Sequence, residues 1–74
     1  MAEATETTPV VLLDGEPVPW HAGLTVATLV ARRGVDPRAV ATALNGAFVP
    51  LTSRGDTPVR PGDVVLLFQA IVGG

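Results

Sequence analysis

Two strongly apolar stretches, Val10–Leu13 and Val64–Gln69, stand out from a chain that is otherwise rich in polar residues and turns. Short continuous apolar runs of this kind are typical of strands that are buried on both faces. The first run ends at an Asp-Gly pair at 14–15, a strong hairpin signal, and a Pro-Gly-Asp turn at 61–63 begins the second. We therefore predict a central strand at the first run, a returning strand over 16–20 and a final strand at the second run. The two prolines of the returning strand restrict it to the edge of a sheet.

The stretch 24–35 predicts the one clear helix. Its apolar stripe follows helical spacing and is formed by Val26, Leu29 and Val30, with the stem of Arg33 at its edge. Thr25 is expected to cap the first turn, and Gly34 to end the helix in a left-handed conformation. After the helix, Asn45-Gly46 between apolar residues predicts a second hairpin over 39–50. Residues 51–61 are turn-rich and are predicted to form an irregular link to the final strand.

The order of hairpin, helix, hairpin, link and strand predicts an α+β fold of the ubiquitin-like β-grasp type. It would hold a mixed sheet of about four to five strands with one main helix on one face. We assign 1–9 to a disordered lead-in, 10–69 to the domain and 70–74 to a flexible C-terminal tail. One short helix covers only one face, so an apolar patch should remain open on the other. Phe68 is either a core residue or part of that open face, and we assign it with Leu66 to an apolar partner-binding face.

Composition narrows the function classes. The chain has 74 residues, no cysteine and a net charge of -2, which predicts one small domain without disulfides or thiolate chemistry and without a nucleic-acid footprint. No apolar run is long enough for a membrane span, and the acidic, threonine-rich start differs from a secretory signal. We expect a cytoplasmic protein that is monomeric when free. His21 is expected to be an exposed loop residue, Arg54-Gly55-Asp56 a solvated turn, and the chain no enzyme in its own right.

The end of the chain resembles a known family. The stretches 66–74, 60–63 and 44–50 are similar to the bacterial sulfur carrier proteins of thiamine (thiazole) biosynthesis, which have a ubiquitin-like β-grasp fold. The resemblance covers nearly all of the chain from Val10 onward, and the lead-in is longer than such carriers have. Two terminal glycines are slim and conformationally free, which suits threading into a narrow site.

The resemblance implies a reaction on the terminal carboxylate. Gly74 would be adenylated by an E1-like adenylyltransferase that uses ATP, and then converted to a thiocarboxylate with persulfide sulfur. That sulfur comes indirectly from a cysteine desulfurase, and thiazole synthase receives it from the carrier. Ile71, Val72 and Gly73 would thread into the partner's site, and the carrier itself would bind no cofactor and no metal.

Other functions stay open at this point. The small subunit of molybdopterin synthase shares the fold and the thiocarboxylate, although we expect it to be longer, with a proline in its approach to the tail. A protein modifier, or a carrier for tRNA thiolation or cysteine synthesis, is a related possibility; the absence of lysine excludes only chains linked through its own lysines. The remaining alternative is an interaction domain with an idle tail, which would keep its function when the C-terminus is blocked.

Overall fold

The computed structural model describes residues 8–69. Its strands are β1 (Val10–Leu13), β2 (Glu16–Pro19), β3 (Val40–Leu44), β4 (Ala47–Val49) and β5 (Val64–Gln69), its α-helix is α1 (Val26–Arg33), and 3-10 helices occupy Pro37–Ala39 and Leu51–Asp56. The strands form one sheet in the order β2-β1-β5-β3-β4. β1 and β5 are parallel, and the other neighbours are antiparallel. The predicted β-grasp fold is confirmed. Residues 1–7 of the predicted lead-in and all of 70–74 lie outside the described residues.

Both predicted hairpins are present, and their turns have the backbone that their residues favour. Asp14 and Asn45 each have φ 52°, and the glycines that follow have φ 84° and 87°. Two successive residues with positive φ match the twist of the flanking strands. The strand with two prolines, β2, lies at the edge of the sheet as predicted, where its missing ladder donors cost least.

The helix begins and ends at the predicted residues. The Thr25 hydroxyl accepts the backbone N–H of Thr28 at 3.3 Å, and Gly34 takes a left-handed φ of 72° while its N–H donates to the Ala31 carbonyl at 3.1 Å. The apolar stripe of α1 packs on one face of the sheet. The core that results contains Val11, Leu13, Val18, Leu24, Val26, Leu29, Val49, Val59 and Val65.

The link between β4 and β5 is more ordered than predicted. Residues Leu51–Asp56 form a 3-10 helix, and Arg54 is only 4% exposed, so the prediction of a solvated turn was wrong for this residue. Its Nε donates to the Thr42 hydroxyl at 3.2 Å and its Nη1 to the Pro37 carbonyl at 2.8 Å, and Nη2 donates to the Val40 carbonyl. Arg54 is buried because these three acceptors converge on it, and it joins the link to the start of β3.

Candidate functional site

β5 lies in the middle of the sheet and leads to the C-terminal residues. It pairs with β1 only through Leu12 opposite Val64 and Leu13 opposite Val65. Its antiparallel pairing with β3 continues to the last residue of the strand, where Val40 lies opposite Gln69. Residues 66–69 therefore belong to the sheet through β3 alone.

The two hairpin turns also hold β5 through their side chains. Asp14 Oδ1 accepts the backbone N–H of Leu67 at 2.9 Å, and Asn45 Oδ1 accepts that of Val64 at 2.9 Å. The Asn45 amide also donates to Asp63 at 3.1 Å. The Asp14 carboxylate thus takes the place of the next residue of β1, at the point where β1 turns away. The turns that follow the two strands flanking β5 therefore hold it: Asn45 after β3 fixes its start, and Asp14 after β1 fixes its second half.

Arg33 connects the end of α1 to the first hairpin. Its guanidinium lies 3.4 Å from Asp14 Oδ2 and 3.4 Å from Glu16 Oε1. Such partly exposed ion pairs add little to stability. The pair with Asp14 nevertheless leaves the second carboxylate oxygen directed at β5, which is consistent with a role in orienting that carboxylate. The predicted position of Arg33, at the edge of the apolar stripe, matches this arrangement.

Successive side chains of β5 point to opposite faces of the sheet. Val65 is completely buried and Leu67 packs against the core, so these two face α1. Leu66 and Phe68 alternate with them and lie on the other face, where Leu66 is half-buried and Phe68 is 51% exposed. Of the two positions that the sequence left open for Phe68, the structure shows the open face. Its predicted partner-binding role with Leu66 stays a prediction.

The sequence analysis missed Phe48, which is 68% exposed on β4. Ala43 of β3 lies opposite Phe48 on one side and opposite Leu66 on the other, so these three form one row across the sheet. Ala41 and Phe68 form the next row. We call these five residues, which are two phenylalanines, two alanines and Leu66, the open apolar face. No polar alternation in the three apolar residues of β4 marks Phe48 as exposed, and its exposure follows only from the burial of its neighbour Val49 on the other face.

Comparison with known proteins agrees with this fold. The model of the ThiS family matches residues 2–74 of the chain. The chain belongs to the ThiS family. It is also similar to the crystal structure of the thiamine biosynthesis protein ThiS from Geobacter metallireducens, with a TM-score of 0.72 and 25% sequence identity over 88% of this chain and 99% of that chain. No curated protein sequence matches the chain significantly.

Of the remaining residues that the sequence singled out, one lies within the described part of this ThiS-family chain and the others lie beyond it. His21 is exposed, as predicted. Within 8–69 no group of three or more histidine, cysteine and acidic residues is arranged to hold a metal ion, and no helix of that part is long and apolar enough to cross a membrane. The predicted reactive segment, Ile71, Val72, Gly73 and Gly74, lies outside the described residues.

Proposed function

We propose that this chain is a sulfur carrier protein of thiamine biosynthesis that holds sulfur as a thiocarboxylate on Gly74. The match to the ThiS family over residues 2–74 carries this proposal. The fold is consistent with it, since β5 lies in the centre of the sheet and ends at Gln69, five residues before the terminal Gly74. The similar structure from Geobacter metallireducens is itself a thiamine biosynthesis protein.

The first step activates the terminal carboxylate. A carboxylate is ionised at neutral pH and is a poor electrophile. An E1-like adenylyltransferase joins an oxygen of the Gly74 carboxylate to the α-phosphorus of ATP and releases pyrophosphate. The resulting acyl-adenylate has AMP as a good leaving group. ATP is thus a substrate of the partner enzyme, and the carrier binds none itself.

Sulfur enters in the second step. The terminal sulfur of a protein persulfide, which a cysteine desulfurase supplies indirectly, attacks the Gly74 carbonyl carbon and AMP leaves. A second thiol then attacks the other sulfur of the acyl-persulfide; a disulfide forms between the two thiols and the thiocarboxylate leaves. Dividing the transfer through covalent intermediates makes each step easier. The thiocarboxylate sulfur is nucleophilic, and the carrier donates it to thiazole synthase.

The open apolar face is the proposed docking surface for these enzymes. Phe48 and Phe68 expose aromatic side chains on the same side of the sheet that Leu66 occupies. Exposed apolar patches commonly mark protein partner sites, and aromatic residues often dominate their binding energy. Because Phe68 immediately precedes Gln69, docking here would bring the end of the chain to the active site of the partner. Ile71, Val72 and Gly73 would then thread into that site.

Intact-mass spectrometry tests the proposal. The protein is incubated with ATP, a persulfide source and an E1-like adenylyltransferase, and we expect a mass gain of one oxygen-to-sulfur exchange, located at Gly74 by fragmentation. A chain that ends at Val72 is the control and should show no gain. Incubating the product with thiazole synthase, and separately with the large subunit of molybdopterin synthase, identifies the acceptor. No gain with several active adenylyltransferases would contradict the proposal and favour an interaction domain.

A further inference from the structure

A second uncovered apolar surface lies on the helix side of the sheet. A groove of about 370 Å³ runs between α1 and the 3-10 helix Leu51–Asp56. Its apolar walls are formed mainly by Ala27, Val30, Ala31, Val35 and Leu51. Val35 and Leu51 are 38% and 47% exposed, which is high for aliphatic side chains. The groove is therefore a surface that an aliphatic segment would cover well.

The groove also contains a buried positive charge. Arg54 lines it, and its guanidinium makes three hydrogen bonds, all to uncharged acceptors. A guanidinium has five N–H donors. Among residues 8–69 both ion pairs are made by Arg33, so no carboxylate of that part neutralises Arg54. A buried charge is costly unless it is paired. The groove thus suits an aliphatic segment that carries a carboxylate.

The C-terminal residues begin close to this groove. Gln69 lies opposite Val40, and the carbonyl of Val40 is one of the three acceptors of Arg54. Neighbouring strands are about 4.8 Å apart. The end of β5 therefore lies one strand spacing from Val40, whose carbonyl accepts from Arg54. Pro37 lines the groove and precedes Val40 by only three residues, and residues 70–74 can span roughly 17 Å at most. Residues 1–7 join β1 near the other end of the sheet, where β5 starts.

We propose that the groove is a resting site for the chain's own C-terminal segment, with Ile71 and Val72 against its apolar walls and the Gly74 carboxylate drawn toward Arg54. The segment matches the groove in sequence, since two aliphatic residues precede the slim glycines. The effect of this docking on the adenylation of Gly74 rests on the proposed function. A segment docked in the groove is not available to the adenylyltransferase. A segment that is docked half of the time would raise the apparent Kd for the enzyme about twofold.

The chain contains a single isoleucine, Ile71, so one methyl resonance reports on the segment directly. Selective methyl labelling of the full chain, without any partner, should give NOE cross peaks from the Ile71 δ1 methyl to the methyls of Val30, Val35 and Leu51. Ala31→Gln, which places a larger side chain at the exposed rim of the groove and preserves helix propensity, should remove these cross peaks. Phe48→Thr, on the open apolar face, should leave them intact.

Several outcomes would overturn the proposal. An Ile71 methyl with a random-coil shift and no cross peak to the groove would refute it, and so would cross peaks that appear only when the adenylyltransferase is added. Cross peaks that vanish on dilution would place the segment in the groove of a second copy instead. Because the measurement uses the protein alone, it is independent of the mass-spectrometric test, and either proposal can fail without the other.

Discussion

Phe68→Thr tests whether the open apolar face binds the adenylyltransferase. Threonine keeps a β-branched side chain that suits a strand, but it removes the aromatic ring. Phe68 lies opposite Ala41, and half of it is exposed, so its buried half also contributes to the fold. We therefore expect the variant to fold with a lower free energy of unfolding and to bind its partner more weakly.

The size of the loss follows from the exposed area. A phenylalanine offers about 200 Å², and with 51% of it exposed about 100 Å² is available for burial in a complex. At about 25 cal/mol per Å² this area is worth about 2.5 kcal/mol. Threonine restores a part of it, so the loss should lie between about 1.4 and 2.5 kcal/mol, which corresponds to roughly 10- to 70-fold in kcat/KM.

The assay measures initial rates of pyrophosphate release with the carrier as the varied substrate. Phe48→Thr should lower kcat/KM at least as much as Phe68→Thr, because Phe48 is 68% exposed. Leu51→Ser is the matched control: Leu51 is also an exposed apolar residue, at 47%, but it lines the groove on the other side of the molecule. It should leave kcat/KM unchanged or raise it up to about twofold.

Two results would refute this reasoning. If Phe68→Thr keeps wild-type kcat/KM while its fold is intact, the open apolar face does not bind the enzyme. If Leu51→Ser loses as much as Phe68→Thr, the loss is not specific to that face. Circular dichroism and a urea titration of each variant establish that the comparison is between folded proteins.

Three further predictions concern the strand, the link and the reactive end. Asp14→Ala should cost about 2 kcal/mol or more in urea unfolding, because the N–H of Leu67 loses its acceptor and alanine disfavours the positive φ of this turn position. Asp14→Asn keeps both the acceptor and the turn preference, so equal losses in the two variants would assign the effect to the ion pair. Arg54→Met should cost about 3 kcal/mol or more, since the carbonyls it binds lose their donor. Arg54→Lys should not restore the loss, and a wild-type melting temperature for either variant would contradict the prediction. Gly74→Ala should cut the thiocarboxylate yield by roughly tenfold or more by intact mass, with unchanged stability; an undiminished yield would remove the steric argument.

The elements that the sequence predicted well are those with local causes. The hairpin turns depend on two residues each, Asp14-Gly15 and Asn45-Gly46, whose positive φ those residue types favour. The helix depends on a cap and a stop that lie within its own segment, at Thr25 and Gly34. These signals need no knowledge of the rest of the fold, so the order of elements follows from them.

The features that were missed depend on residues far away in the chain. β5 is apolar on both faces, so its pattern does not show which side α1 covers, and the exposure of Phe68 is decided by packing. Arg54 is buried by acceptors that lie 12 to 17 positions earlier. A lone arginine between small residues resembles a solvated turn until β3 is placed beside it. The groove depends on the same packing.

The early end of β1 leaves the second half of β5 without a neighbouring strand on one side. If β1 continued to pair beyond Leu13, it would cover residues 66–69 on that side. The chain instead turns at Asp14, whose carboxylate supplies one more acceptor, to the N–H of Leu67. β3 meanwhile supports β5 as far as Gln69. One turn residue thus replaces a longer strand, so that β5 stays fixed while its last residues remain open on that side.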